Sequence, residues 1–568
     1  MSNSTASTET STKSEDGKKT GLAALDDLFQ PFNRSDAPGL IVGVAQQGKT
    51  VFRRGYGLAS VELGVANTAW TRMRIGSTSK HFACLATLLL AEDGKLDVDA
   101  SVRRYIPELP ALEGEASLRQ LMTHTSGYRC YLDVGFLADG MSIKPKGVAL
   151  ATQVRQTGIN FRPGEKMMYC NGGYHLLSLV IERVSGLPFE QFLEQRIFAP
   201  LGMIDTRSVP SDFEIHRGMA VMHVAQPDGS WRRGIFPTEE VRGEGAMVST
   251  LDDMLIWLAH LRAAQKTVGN ADSWRQMLQT TRLNNGVVNP YALGLMRHDY
   301  RGVEVIHHAG GVIGGTCQMI TVPSLALDII IMTNGVLASA TELANQIIDA
   351  LAGEALSSPA VARPAAERFK PMLGVRYHSP GSGLGFSFGE TPEGKLGLNF
   401  LNSQPLPLKE RDGGRELALG FEDMAIGPLT LQVADLAESG EAPAALALAE
   451  AGHVERFERM PVQPPTLAEA GATLPGRYRA TDLDADAQLR FDGAGESAKL
   501  LLEVFGAYGT NTMELEAWSA DVFGWAIAGT TLPLRGLLSV ERDGAGRVQA
   551  FRLDTPRTRH MRFERVGG

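Results

Sequence analysis

The chain has 568 residues and a formal charge of −9, from 55 basic and 64 acidic side chains. That length exceeds what one hydrophobic core serves, so two or three domains are expected. The charge is spread without a basic face, which argues against a nucleic-acid partner. No apolar run approaches the roughly 18 residues a membrane span needs.

Residues 1–20 are polar and rich in Ser and Thr, with no apolar core of the kind a secretory signal carries. They read as a disordered tail, and a cytoplasmic enzyme is the expectation. From Gly39 to Tyr56 the pattern is strand, turn, strand, with Gln47-Gly48 at the turn. A small polar run, Gly76-Ser77-Thr78-Ser79-Lys80, then opens onto a buried helix whose stripe is Phe82, Leu85, Leu88 and Leu89 and whose end is Asp93-Gly94. A second helix covers Tyr174 to Val184 and closes at Ser185-Gly186. A third starts at Thr250, with Asp253 placed as in a capping box. Residues 302–334 read as three strands joined by short turns, which pair antiparallel, and a helix over 341–351 follows. Strands thus open and close residues 21–355 with helices between, which predicts an α/β domain whose sheet joins both ends of the segment.

After residue 355 the character changes. Residues 356–371 read as a linker. Beyond them, short apolar–polar alternations separated by Gly-rich turns imply two small β-barrels or sandwiches, over 372–465 and 466–568.

The four cysteines, Cys84, Cys130, Cys170 and Cys317, lie far apart in apolar or mixed surroundings and read as reduced core residues. No metal motif stands out. His307 and His308 are adjacent, so on a strand they face opposite sides and cannot easily share an ion. No cofactor and no metal are expected.

Three weak signals occur in order. The first is Ser77-x-x-Lys80, whose members share one helix face. Free N–H groups and the helix dipole at that end favour negative charge and lower the pKa of a nearby cation, so the pair can be a nucleophile and its base. It can also be an N-cap and a surface charge. The second is Tyr169-Cys170-Asn171, before the second helix. Its phenol can relay a serine proton and its amide offers both donor and acceptor, although a tyrosine there can equally be packing. The third is His308-Ala309-Gly310-Gly311, where glycines let a strand edge approach a ligand and supply an oxyanion N–H. A lone strand-end histidine is otherwise structural.

This order, S-x-x-K, then Y-x-N, then H-x-G, resembles the penicillin-recognising serine hydrolases. Further matches run from residue 38 to 350, among them LMTHTSGY at 121–128 and GAMVSTLDDMLIWLAHL at 245–261. Within that family the branch of D-aminopeptidases with two C-terminal β-barrels is the most similar, through MYCNG, HAGGVIGGTCQ and GRYRATDLDADAQL. The resemblance implies a β-lactamase-like domain with an antiparallel sheet flanked by helices, two antiparallel barrels, a cytoplasmic setting and a homodimer. It also implies roles. Ser77 would be the nucleophile, Lys80 its proton acceptor and Tyr169 the acid/base partner of the leaving amine. Asn171, His308 and Gly310 would contact substrate, and the N–H groups of Ser77 and Gly311 would form the oxyanion hole.

Two departures matter. Many penicillin-binding relatives carry a lysine where His308 stands, which suits a substrate carboxylate better than a near-neutral imidazole does. In the resembled aminopeptidases a loop of the last barrel brings an acid to the substrate amine. The matching stretch here, WAIAGTTLPLRG at 525–536, has none. The leading expectation is a serine amidohydrolase acting on N-terminal D-residue amides or short peptides through an acyl-enzyme. The rivals are a carboxylesterase or β-lactamase/D,D-peptidase-like enzyme, and a non-catalytic acyl-sensor or peptide-binding protein.

Overall fold

In the computed structural model the described residues are 21–336, 338–358, 367–392, 394–401, 405–411, 416–419, 429–433, 441–493, 495–527 and 534–567. The expected tail at 1–20 and residues 528–533 of the loop at 525–536 lie outside them, as does 359–366 of the expected linker.

The first domain is built around an antiparallel sheet. Its strands are β1 (Leu40–Gln46), β2 (Lys49–Tyr56), β3 (Met296–Tyr300), β4 (Val303–Val312), β5 (Gly315–Val322) and β6 (Leu327–Thr333), in the order β3-β4-β5-β6-β1-β2. The hairpin β1–β2 turns through Gln47 and Gly48, both at positive φ (50° and 76°), the geometry a tight two-residue hairpin needs. The two ends of the domain meet where Leu40 pairs with Thr333 and Gln46 with Leu327. Sequence separation and sheet adjacency therefore part company here, as the patterning implied.

Helices cover both faces. On one side α1 (Leu22–Phe29) and α6 (Ala340–Ala352) pack over the sheet with Ile329, Ile331 and Val44. On the other lie α2 (Lys80–Glu92), α4 (Asn171–Ser185) and α5 (Leu251–Arg262), whose Phe82, Leu177 and Trp257 share a core with Ile330 and Met332. Between them in sequence, α3 (Tyr131–Asp139) faces the last barrel. The helices follow their local chemistry. Thr250 caps α5 by accepting the Asp253 N–H, and Gly186, at φ 73°, ends α4. The α2 pattern read as one apolar stripe, yet every residue from Lys80 to Leu90 is buried. The helix is surrounded, because α4, α5 and the sheet enclose it. This burial later governs the chemistry of Lys80.

Two closed eight-stranded antiparallel barrels complete the chain. The first runs from Arg376–His378 to His453–Arg459, the second from Gly476–Ala480 to Met561–Arg565. Phe369 and Met372, in and just after the expected linker, are buried in the first barrel's core with Tyr377 and Phe386. The second barrel docks on the first domain. Asn511 Nδ2 donates to the Phe136 carbonyl at 3.0 Å, Gln156 Nε2 donates to the Asp482 carbonyl at 2.9 Å, and Arg129 pairs with Asp482. Among the described residues no helix is long and apolar enough to cross a membrane. All four cysteines are buried and free.

Candidate active site

Ser77 does not cap the helix with its side chain. It sits in a single 3-10 turn, Gly76–Ser79, that runs into α2. The tight turn keeps Ser77 and Lys80 on one side. The Lys80 Nζ lies 3.0 Å from Ser77 Oγ, 2.8 Å from Asn171 Oδ1 and 2.6 Å from the Glu244 carbonyl oxygen. Two of these partners can only accept, so they take two N–H bonds. In the neutral amine the remaining lone pair then faces the serine hydroxyl. Burial lowers the Lys80 pKa to about 7, against an opposing pull from the Glu244 carboxylate. The surface-lysine reading of the sequence thus has no counterpart in this fold, since Lys80 has no exposed surface.

Tyr169 stands on the other side of the same hydroxyl. Its ring lies 4.7 Å from Lys80 Nζ, and its phenol is near enough to Ser77 for that residue to draw its pKa down. Burial, the dominant effect, raises the phenol pKa well above its usual value, so the group is a protonated hydroxyl at neutral pH. Asn171 begins α4, three residues earlier than the apolar stripe indicated, and the helix start aims its amide at Lys80.

Strand β4 forms the facing wall. A Cβ on Gly310 would lie 1.9 Å from the Ile75 carbonyl oxygen. A Cβ on Gly76, itself at φ +53°, would lie 2.8 Å from the Gly311 nitrogen. Glycine at these two places lets the strand press on the turn that carries Ser77. Thr78 Oγ1 donates to the His308 carbonyl at 3.1 Å and locks that contact. Ser77, Asn171 and Gly311 border one cleft with Leu132, Phe236, Val241 and Val312. Arg74 and Asp212 form an ion pair along its floor, Nε to Oδ1 2.5 Å.

His308 lies behind this wall. Its Nδ1 is 2.6 Å from the Ala309 carbonyl and its Nε2 is 3.1 Å from the Tyr291 hydroxyl. Burial, reinforced by the nearby Lys80, lowers its pKa to about 3. The Tyr291 oxygen also lies 3.1 Å from His124 Nε2, and His124 Nδ1 accepts the Cys170 N–H at 3.0 Å. One proton arrangement satisfies the whole chain: Cys170 N–H to His124, His124 Nε2–H to Tyr291, Tyr291 O–H to His308, His308 Nδ1–H to Ala309. Both imidazoles are neutral in it. The His124 ring packs at a tilt against Tyr169, ring centres 4.1 Å apart, so the row braces the phenol from behind.

The structure therefore gathers Lys80, Tyr169, Asn171, Gly310 and Gly311 around the turn that carries Ser77, with Ser77, Asn171 and Gly311 lining the cleft and His308 one layer back. Sequence reasoning gave no role to Glu244, His124, Tyr291 or the Arg74–Asp212 pair. His124 falls inside LMTHTSGY, a stretch that matched the family pattern, and Glu244 immediately precedes another at 245–261, which was the available signal. Tyr291 and Arg74 carried none. Leu534, at the end of the barrel loop, packs against the buried cluster that includes Tyr131 and Leu132, and Leu132 borders the cleft; residues 528–533 are outside the described set.

Among the described residues no group of His, Cys, Asp and Glu is arranged to hold a metal. The family model described as beta-lactamase matches residues 25–352. D-aminopeptidase of Brucella anthropi is 29% identical over 312 residues, 53% of this chain and 57% of that protein, so the match spans little more than half the relative's length. D-aminopeptidase of Brucella melitensis is 24% identical over 547 residues, 93% of this chain and 96% of its own. Among solved structures, an octameric penicillin-binding protein homologue from Pyrococcus abyssi superposes with a TM-score of 0.54 at 20% identity, covering 77% of this chain and all of that one. D-amino acid amidase from Ochrobactrum anthropi gives 0.50 at 22% identity, over 59% of this chain and 99% of that one. On the extent of the family match, together with the fold and the ordered site residues, this chain belongs to the beta-lactamase family.

Proposed function

We propose that this chain is a serine amidohydrolase that removes N-terminal D-residues from amides or short peptides through an acyl-enzyme. Ser77 Oγ attacks the substrate carbonyl and its proton passes to Lys80 Nζ. The N–H groups of Ser77 and Gly311 hold the oxyanion. Tyr169 O–H delivers a proton to the leaving amine and recovers one through Lys80. Water then attacks the acyl-serine, and the same groups act in reverse. Asn171 keeps the lysine aimed and meets the substrate carbonyl. His308 sets the wall through Gly310 and does not carry charge. The observation that carries the reading is the buried Lys80 amine 3.0 Å from Ser77 Oγ with its other contacts satisfied by acceptors.

The amine-side specificity is the part that rests on the relatives' names rather than on a residue here. The apolar cleft walls Leu132, Phe236 and Val312 equally suit an ester, which keeps a carboxylesterase as the second reading. Steady-state turnover of D-alanine amide, p-nitrophenyl acetate and a cephalosporin separates them. Turnover of the D-amide, with the L-amide much slower, is expected. Ester hydrolysis with no D-amide turnover overturns the aminopeptidase reading, and a burst without turnover on all three overturns the enzyme reading. A homodimer, the expected assembly, is checked by sedimentation velocity.

A further inference from the structure

The turn between the last two strands of the second barrel, Val548–Asp554 and Met561–Arg565, does not hang free. Asn160 Nδ2 donates to the Arg557 carbonyl at 3.0 Å, and the Arg559 N–H donates back to Asn160 Oδ1 at 2.9 Å. The same Asn160 amide lies 3.2 Å from the sulfur of Met168, the residue before Tyr169. Arg129 donates to the His560 carbonyl at 3.1 Å. The barrel turn is thereby clamped beside the Tyr169 side of the cleft.

From this turn Arg557 reaches the first domain and donates to Asp133 Oδ1 at 2.9 Å. Asp133 adjoins Leu132, a wall of the Ser77 cleft. The pair is lopsided. The Asp133 side chain is 6% exposed and the Arg557 side chain 38%. Asp133 is the guanidinium's one hydrogen-bond partner among the described residues, so most of its five N–H donors remain for another acceptor. The charge is permanent, because Asp133 raises the arginine pKa further. It is close enough to act on Tyr169 and on Lys80.

The other charges nearby do not compete for this place. His308 is neutral and both its ring nitrogens are engaged. Glu244 is buried behind Lys80, holding the Tyr131 hydroxyl at 2.6 Å. Asp212 is committed to Arg74. The partly exposed charge next to the leaving-group proton donor is therefore positive.

We propose that Arg557 binds the carboxylate of the leaving amino acid, so that the preferred substrates are dipeptides with a free C-terminus rather than simple amides. This rests on the acyl transfer at Ser77 with Tyr169 serving the leaving amine. In a dipeptide the carboxylate carbon is two bonds from the scissile nitrogen, so a cation beside the donor to that nitrogen is suitably placed. A planar guanidinium suits it, offering paired N–H groups to two oxygens. Arg557 also supplies a reason for a barrel to be fused to this domain: it delivers a substrate contact that the first domain lacks.

The test compares D-alanylglycine with D-alanylglycine amide, which differ only in that terminal charge. Wild-type protein is expected to favour the acid in kcat/KM by about 10- to 100-fold, the range of one charge-assisted bond. In R557Q the ratio is expected to fall to about 1, mainly through KM, and in R557K to be intermediate. A wild-type ratio near one, or a ratio unchanged in R557Q, overturns the assignment. The D-alanine esters of glycolate and glycolamide, whose carboxyl carbon is likewise two bonds from the ester oxygen, repeat the comparison on a more reactive leaving group. If only the esters turn over, with the acid preferred and the preference lost in R557Q, the aminopeptidase reading fails while the arginine's role stands. Should R557Q not fold, the wild-type ratios on both substrate pairs decide alone.

Discussion

Lys80 Nζ lies 2.6 Å from the carbonyl oxygen of Glu244, and the carboxylate of the same glutamate is buried behind it. The amine at the centre of the site is thus held by the main chain and biased by the side chain of one residue. Burial lowers its pKa to about 7 from the ordinary 10.5, and Glu244 opposes that fall. As a base Lys80 must be neutral, so kcat/KM for an uncharged substrate should rise through pH about 7 and flatten above it. Removing the opposing charge in E244Q should move that midpoint lower. A pH–rate profile on wild type and variant measures both.

Replacing Lys80 with methionine keeps most of the volume and removes the base. A loss of about 10²- to 10⁴-fold in kcat/KM is expected, the usual share of a positioned general base. Ser77→Ala should remove covalent turnover altogether. Mass spectrometry of protein incubated with a chromogenic ester checks that no acyl adduct forms.

Tyr291 is the hinge of the neutral row behind the cleft, 3.1 Å from each of two histidine nitrogens. Tyr291→Phe leaves a buried donor on His124 and a buried acceptor on His308 without partners. The expected cost is about 1–3 kcal/mol for each group left bare, read as a fall in the denaturation midpoint, with a smaller drop in activity as Tyr169 loses its backing.

The same row sets an acid limit. The folded protein holds His308 with a pKa of about 3 against an ordinary 6.5, and His124 is also well below it. Between those values the unfolded chain binds protons that the folded chain refuses, so stability should decline as pH drops from about 6.5 toward 3. His308→Gln should flatten that decline, as seen in denaturant titrations at stepped pH.

Two neighbouring glycines make a contrast. A methyl on Gly310 meets the Ile75 carbonyl at 1.9 Å, whereas one on Gly311 meets nothing within 4 Å. Gly310→Ala should separate strand from turn and cost upwards of about 1–3 kcal/mol. Gly311→Ala should fold as wild type and keep its N–H. Thermal unfolding of both variants decides.

Much of this molecule was legible in its residues. Alternation and turn chemistry marked the hairpin at 40–56, the three late strands and the barrels, because strand period and glycine placement are local properties. The ordered motifs pointed to Ser77, Lys80, Tyr169 and Asn171, because the proposed acyl transfer needs those functional groups whatever the path between them. Local pattern could not say how deeply a residue is buried. The Lys80 amine owes its lowered pKa to α2 being wrapped on all sides, which depends on segments scattered from residue 171 to 332. The neutrality of His308 likewise depends on Tyr291 and His124, distant in sequence and unmarked by any motif. Arg557, in a turn near the chain's end, acquires a place beside Tyr169 only through the docking of a barrel. Residue types and their order carried the chemistry on offer; desolvation and long-range contacts, which exist only once the chain has folded, decided which protonation states and which charges that chemistry works with.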